Sequence, residues 1–383
     1  MIDTVILTMQ LDKTLVTDPD KFTPSLRWLK ESDRGFGARL FTKYTQNINQ
    51  KYGYYPRLTV TPRWKGYLEI PLKIEFSVPK LLYGNNLDEV SEDDFERVIE
   101  VLQSKLKEMG IRVFPEQLRN ALVSAVHYSK NIPLSHFVTA SWVISVLSKL
   151  DVTKRLELNH RHFKNQGHAL YFDCGSYQIV IYDKLKDIGK SKRHAVDKEP
   201  TSEQLGLFDF IKKNKIPAEI LRIEIRLVQK GKLNSLFTQF GYPANPTFKQ
   251  IFNSEIARKV LHFYWDFIAN EKSLFLLKAT DQDTLKQVIE FQRLNKRKLS
   301  TIETLGIAQI IEYSKTNGLR TLRESLSSFY SDRNWFRQQK YFDLIEKITA
   351  DKKPYDFVTD IENTLNTLKP YRIENDLIKG EES

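Results

Sequence analysis

Leu221-Arg222-Ile223-Glu224-Ile225-Arg226-Leu227 is the segment on which the fold turns. Leu221, Ile223, Ile225 and Leu227 fall on one side of an extended chain, and Arg222, Glu224 and Arg226 on the other. That period of two predicts a strand over 220–228 with one face on a core. The other face presents a carboxylate between two guanidinium groups. Arginine forks suit phosphate oxygens, and a glutamate suits a hard cation such as Mg²⁺. Taken alone, a solvent-facing strand with self-compensating charges is the commoner meaning of this pattern.

Working outward, 169–172 and 177–182 read as a hairpin with Asp173-Cys174-Gly175-Ser176 as its turn. Residues 4–9 and 122–128 read as further strands. So do 68–76, where Pro71 points to an edge position or a bulge. Ser91, followed by Asp94, opens a helix with the apolar stripe Phe95, Val98, Ile99, Leu102 and Leu106, and Gly110 stops it. Residues 134–150 read as another helix, with His136 on its first turn as a structural residue. Beyond about 245 the pattern is helical throughout, over 251–269, 280–291, 301–314, 320–330 and 334–348. The expected class is α+β, an antiparallel sheet with flanking helices followed by an all-helical C-terminal region. The expected division is a domain over 1–270 and a helical region over 271–383.

Hydrophobic residues make up 41% of the 383, enough for a core. Lys and Arg total 59 against 48 acids, a net charge of +11 with a pI near 9.3. That surplus favours a polyanion, nucleic acid before membrane. No stretch approaches the roughly 20 apolar residues of a membrane span, and residues 1–7 do not read as a signal peptide. The single cysteine, Cys174, rules out a disulfide framework within the chain and suits a reducing cytoplasm. No glycine-rich phosphate loop and no serine or cysteine nucleophile arrangement stands out.

Three further positions can carry chemistry. Tyr182 closes the hairpin, with Lys184 and Lys186 after it. A phenol of pKa about 10 needs help to attack a phosphate, and a lysine or a metal ion can give it. His127 sits in a strand-like run, where imidazole is either a packed core group or a ligand for a divalent metal. His160 and His162 flank Arg161, with His168 nearby. This polar setting favours nucleic-acid contact or plain surface over metal binding. Between residues 36 and 55, Phe36, Arg39, Phe41, Lys43, Tyr44, Tyr52, Tyr54 and Tyr55 can stack on unpaired bases and hold their backbone. A basic stretch follows the hairpin at Lys190, Lys192, Arg193, His194 and Lys198.

Taken in order, these segments resemble the gene II replication initiators of filamentous phages and their bacterial relatives. Met1-Ile2-Asp3-Thr4-Val5-Ile6-Leu7 is similar to the family's opening strand. Glu75-Phe76-Ser77-Val78-Pro79-Lys80-Leu81-Leu82-Tyr83-Gly84-Asn85-Asn86 is similar to its most recognisable motif. Residues 123–130 stand where the family often has an aspartate strand, here with His127. Residues 177–184 resemble the strand of the nucleophilic tyrosine, 221–227 the strand with a central glutamate, and 306–341 the helical tail.

The resemblance implies a rolling-circle initiator, a nicking-endonuclease-like fold that uses Mg²⁺ or Mn²⁺. It implies Tyr182 as nucleophile, forming a 5′-phosphotyrosine. It places Glu224 and His127 at the metal and Lys184 beside the tyrosine, because Tyr182-Asp183-Lys184 resembles the related plasmid enzymes. DNA contacts are then expected at Arg222, Arg226, Lys80, Asn85, Asn86 and Lys186. The implied partners are single-stranded or supercoiled origin DNA and a host helicase, with no membrane. Arg320, Arg323, Arg333 and Arg337 are expected to read the duplex or to dock the tail on the core. A DNA-binding initiator or regulator without catalysis, or an RNA-binding protein, keeps the basic surface without the chemistry.

Overall fold

The computed structural model describes residues 1–27, 42–44, 53–65, 67–135, 138–152, 160–164, 167–188, 201, 203–204, 206–207, 219–269, 274–278, 283–327 and 332–373. The strands are β1 (Ile2–Gln10), β2 (Phe22–Thr23), β3 (Thr42–Tyr44), β4 (Arg57–Val60), β5 (Arg63–Trp64), β6 (Leu68–Glu69), β7 (Pro71–Ser77), β8 (Leu122–Pro133), β9 (His160–Lys164), β10 (Ala169–Asp173), β11 (Tyr177–Asp183) and β12 (Ile220–Leu227). β5 and β6 form a separate two-stranded hairpin. The others form one sheet in the order β2-β3-β4-β7-β1-β8-β12-β11-β10-β9. Every pairing among the described strands is antiparallel. The fold is α+β, as expected.

The alternation in β12 builds the layers. Leu221, Ile223, Ile225 and Leu227 share a face with Ile179 and Ile181 of β11 and with Val126, Tyr128 and Ile132 of β8. That face continues through Val5 of β1 and Phe76, Ile74 and Leu72 of β7. All are buried in one apolar cluster, and each such side chain contributes about 1.5–3 kcal/mol by leaving water. The helices Lys230–Gln239, Ser254–Ala269 and Asp356–Thr367 pack on its centre, and Ala140–Ser148 packs on β10 and β11. Residues on both sides of position 270 belong to this same cluster, from Ile268 to Phe275 and on to Leu365. The expected boundary therefore does not separate two cores.

Local signals held where side chains cap their own backbone. The Asp94 carboxylate accepts from the Ser91 N–H at 2.7 Å and from its hydroxyl at 2.9 Å. The helix Phe95–Glu108 buries the five stripe residues and stops at Gly110, whose φ is +86°. A side chain at Gly110 would meet the Asp18 carbonyl at 2.8 Å. Pro71 lies at neither an edge nor a bulge. It is the first residue of a central strand, where its carbonyl accepts from the Thr61 N–H at 3.3 Å and its missing N–H breaks no ladder bond. β8 runs to Pro133, beyond the expected end at Tyr128, and the helix after it starts only at Ala140. Lys130 breaks the alternation, lying opposite Ile223 on the apolar face, and it and Asn131 on the other face are buried because their polar groups have partners inside the protein.

Those partners close one end of the sheet. The buried Glu89 carboxylate pairs with Lys130, accepts from the Asn131 N–H at 2.5 Å and accepts from the Tyr371 N–H at 2.9 Å. Burial alone pushes this carboxyl up, but Lys130, the chain's N-terminal amine and the Tyr371 N–H together more than offset that, and the group sits at about 2. A depressed carboxylate stabilises the fold above its ordinary pKa and loses that contribution as pH falls toward 2. Glu89→Gln leaves Lys130 as an uncompensated buried charge and should cost about 3–5 kcal/mol at pH 7 in urea unfolding. The gap from the parent should narrow below about pH 4. Equal stability at pH 7 would contradict this.

Candidate active site on the polar face of the sheet

The second face of β12 is buried at Arg222 and Glu224. Arg222 is 1% exposed, Glu224 0% and Tyr182 5%. The expectation of a water-facing charged strand is thus overturned: these charges balance one another inside the protein. Register explains the grouping. Tyr182 lies opposite Arg222 on one side of β12, and Asn131, Ser129 and His127 lie opposite Arg222, Glu224 and Arg226 on the other. Thr4 in turn lies opposite His127. Residues two apart on neighbouring strands therefore project into one patch.

Glu224 is its centre. One oxygen, Oε2, accepts from the Tyr182 phenol at 3.1 Å. The other, Oε1, accepts from Arg226 Nε at 2.8 Å and lies 3.2 Å from His127 Nδ1. Burial pushes the carboxyl up, but the Arg226 guanidinium and the His127 hydrogen bond outweigh it and hold Glu224 well below its ordinary value. Tyr182 moves the other way. Burial, then the Glu224 charge, raises its phenol well above 10. At neutral pH the pair is a phenol donating to a carboxylate.

Arg222 has no fork to offer a phosphate, contrary to expectation. Its Nε donates to Asn131 Oδ1 at 2.7 Å, its Nη1 to Asp3 Oδ1 at 3.2 Å and its Nη2 to the Asn86 carbonyl at 2.9 Å. Each edge of the fork is occupied, so Arg222 positions its neighbours. Asp3 is the site residue that the sequence does not announce. Its one signal is an acid near the start of an otherwise apolar strand. Ligand atoms of Asp3, His127 and Glu224 lie within 4.8 Å of one another. An imidazole and two carboxylates are a donor set that suits a hard divalent cation. Arginines already neutralise both acids, so a cation has to compete with Arg226 for Glu224.

Lys184 has the opposite problem. It is fully buried, and its Nζ has no hydrogen-bond partner among the described residues. The Nζ lies 5.9 Å from the centre of the Tyr182 ring. Burial, then Arg222, lowers its pKa to about 7. Lys186 points away, bonding Asp183 Oδ2 and Ser141 Oγ at 3.3 Å each.

Three other expected DNA contacts lie inside the fold. Lys80 is buried in the helix Val78–Tyr83. Asn85 is buried and shapes a turn, with its Oδ1 accepting from the Leu87 and Asp88 N–H groups at 2.9 Å each. Asn86 is buried and holds Arg222 through its carbonyl. Arg226 remains partly open and lies 5.9 Å from the Tyr171 ring centre. The backbone of His160 and His162 lies in the outermost strand, β9. Their side chains, with His136, the basic stretch 190–198 and most of the aromatic loop, lie outside the described residues.

No family model, curated protein or solved structure matches this chain.

Lys184 Nζ, without a hydrogen-bond partner among the described residues, should cost stability. A lysine with a lowered folded pKa opposes folding fully below about 7, and that opposition disappears as pH rises toward 10.5. Replacing it with an apolar chain of similar length removes the cost. Lys184→Met should be more stable than the parent at pH 6, by a few kcal/mol at most, since each tenfold loss of proton affinity on folding costs about 1.4 kcal/mol. The advantage should shrink by pH 10. Thermal melts across that range check it, and a variant less stable at pH 6 would contradict it.

Proposed function

We propose that the chain is a metal-dependent nickase and ligase of single-stranded DNA that initiates rolling-circle replication, with Tyr182 as nucleophile. The observation that carries this reading is the Tyr182–Glu224 hydrogen bond beside the Asp3, His127 and Glu224 donor set. The order of motifs resembling the gene II initiators supports it, and so does the antiparallel sheet with its polar face. Arg226 at the open side is suited to a backbone phosphate.

In this reading Tyr182 Oη attacks a backbone phosphorus. The bond from phosphorus to the 3′-oxygen breaks, and the strand stays joined to Tyr182 through its 5′-phosphate. The 3′-oxygen leaves as a hydroxyl, and its later attack on the same phosphorus reseals the strand. Glu224 orients the phenol but is a poor final acceptor for its proton, since Arg226 and His127 favour its ionised form. Lys184 is the better acceptor. At about pH 7 it is part neutral, and its flexible stem can bring Nζ to the phenol. As an ammonium it then returns a proton to the 3′-oxygen. Asp3, His127 and Glu224 would hold a Mg²⁺ or Mn²⁺ ion, which would supply Lewis-acid polarisation of the phosphate and favour the phenolate.

Tyr182→Phe should lower cleavage of a labelled origin strand on the order of 10⁴-fold or more, with strand binding near the parent's. Persistent cleavage by that variant would remove Tyr182 from the role. Asp3→Asn should raise the Mn²⁺ concentration for half-maximal cleavage at least about tenfold, and an unchanged requirement would exclude Asp3 as a ligand. A DNA-binding protein without chemistry predicts no cleavage in the parent either.

A further inference from the structure

Away from the sheet, a short turn concentrates positive charge. The helices Thr284–Leu294 and Thr301–Asn317 pack on each other and on the helix Gln339–Ile348. Arg293, Lys296, Arg297 and Lys298 cluster where the first two join. All four are exposed, and none has an ion-pair partner among the described residues. The arginines expected to read duplex DNA from the tail differ. Arg320 pairs with Glu324 at 2.7 Å and Arg323 with Asp151 at 2.8 Å. Arg337 is exposed, and the Arg333 side chain lies outside the described residues.

The turn is built, not frayed. The Asn295 N–H and side-chain amide both donate to the Phe291 carbonyl at 3.0 Å, and the Arg297 N–H donates to the Gln292 carbonyl at 3.0 Å. Lys296 turns the chain at a φ of +50°. The Gln292 side chain ties the two helices together, accepting from the Leu299 N–H at 3.1 Å and donating to Thr304 Oγ1 at 3.0 Å. Glu303 accepts from the Ser300 N–H and hydroxyl at 3.0 Å each, so it is engaged in the helix cap.

We propose that this turn is a second nucleic-acid surface that holds the backbone of duplex DNA. Like charges on a fixed turn repel one another and are relieved by a polyanion. Single strands are held by bases stacked on aromatic rings. Across both helix ends and the turn the only aromatic, Phe291, is partly buried against the core. Leu294 is 74% exposed and Ile302 83%. Apolar side chains within a basic rim are the elements that groove-binding proteins press into a duplex. The inference rests on the nickase reading only for the choice of DNA as the polyanion.

The test replaces Arg293, Lys296, Arg297 and Lys298 together with alanine in the full chain. Exposure of all four keeps the fold, which a thermal melt checks. Binding to an intact linear duplex is measured over a salt series, and cleavage is measured on a saturating single strand. Duplex affinity should fall at least about tenfold, and the log–log salt slope should shrink by up to about 3.6, roughly 0.9 for each contact. Single-strand cleavage should stay at the parent's rate. Unchanged duplex affinity, or a parent that does not bind duplex, overturns the proposal. So does a loss seen only on anionic phospholipid vesicles, which makes the turn a lipid surface, or only on duplex RNA. A parent that binds duplex through the turn but cleaves nothing defeats the nickase reading and leaves this one standing.

Discussion

A buried carboxylate has to be ionised by its neighbours or protonated by its surroundings, and Glu224 is ionised by its neighbours. Three groups meet its two oxygens: the Tyr182 phenol, Arg226 and His127. They come from three adjacent strands, β11, β12 and β8. The charge is therefore also a clamp on register. A one-residue slip of β12 would turn Glu224 into the apolar helix-covered layer and bring Ile223 or Ile225 to face the phenol. The layering of the sheet and the chemistry of its second face thus depend on a single alternation.

The rest of the patch is arranged around that charge. Arg222 lies two residues away, is equally buried and makes its hydrogen bonds elsewhere. It joins Asp3, Asn131 and the Asn86 carbonyl instead, which fixes the start of β1 and the 85–89 segment beside the site. Two arginines and two acids nearly cancel, which makes burial tolerable. Lys184 is held less firmly: Asp3, Asp187 and Glu224 favour its charge, but none of them bonds its Nζ. A buried ammonium with no hydrogen-bond acceptor among the described residues is costly, and on the nickase proposal an anion brought to the site, near a group 5.9 Å from the Tyr182 ring centre, would relieve it. A nucleic-acid phosphate is such an anion, and the excess of basic residues over the chain suits the same partner.

Much of this was legible in the sequence, for identifiable reasons. The 221–227 alternation, the 169–182 hairpin and the helix opened at Ser91 are local patterns whose partners lie within a few residues. Tyr182, His127 and Glu224 are picked out by the resemblance to the gene II initiators, since residue type alone leaves each as an ordinary core or strand side chain, and the register brings them together. Other features depend on non-local contacts. Asp3 joins the site only because β1 pairs with β8, which no spacing records. The fates of Arg222, Lys80, Asn85 and Asn86 turn on burial: a basic or amide side chain reads the same whether it meets a phosphate or a carbonyl. Lys130 and Asn131 look like the end of a strand until Glu89 and the chain near Tyr371 are seen to close over them.

The central claim is that the phenol of Tyr182 is the group that takes up a DNA phosphate. Mass mapping of the covalent adduct, formed on a labelled single strand with Mg²⁺ or Mn²⁺ present, tests it most directly. The account predicts a nucleotide attached through its 5′-phosphate to the peptide bearing Tyr182, and no adduct when the cation is chelated. Attachment to any other residue, or an adduct that forms equally well in chelator, would contradict it.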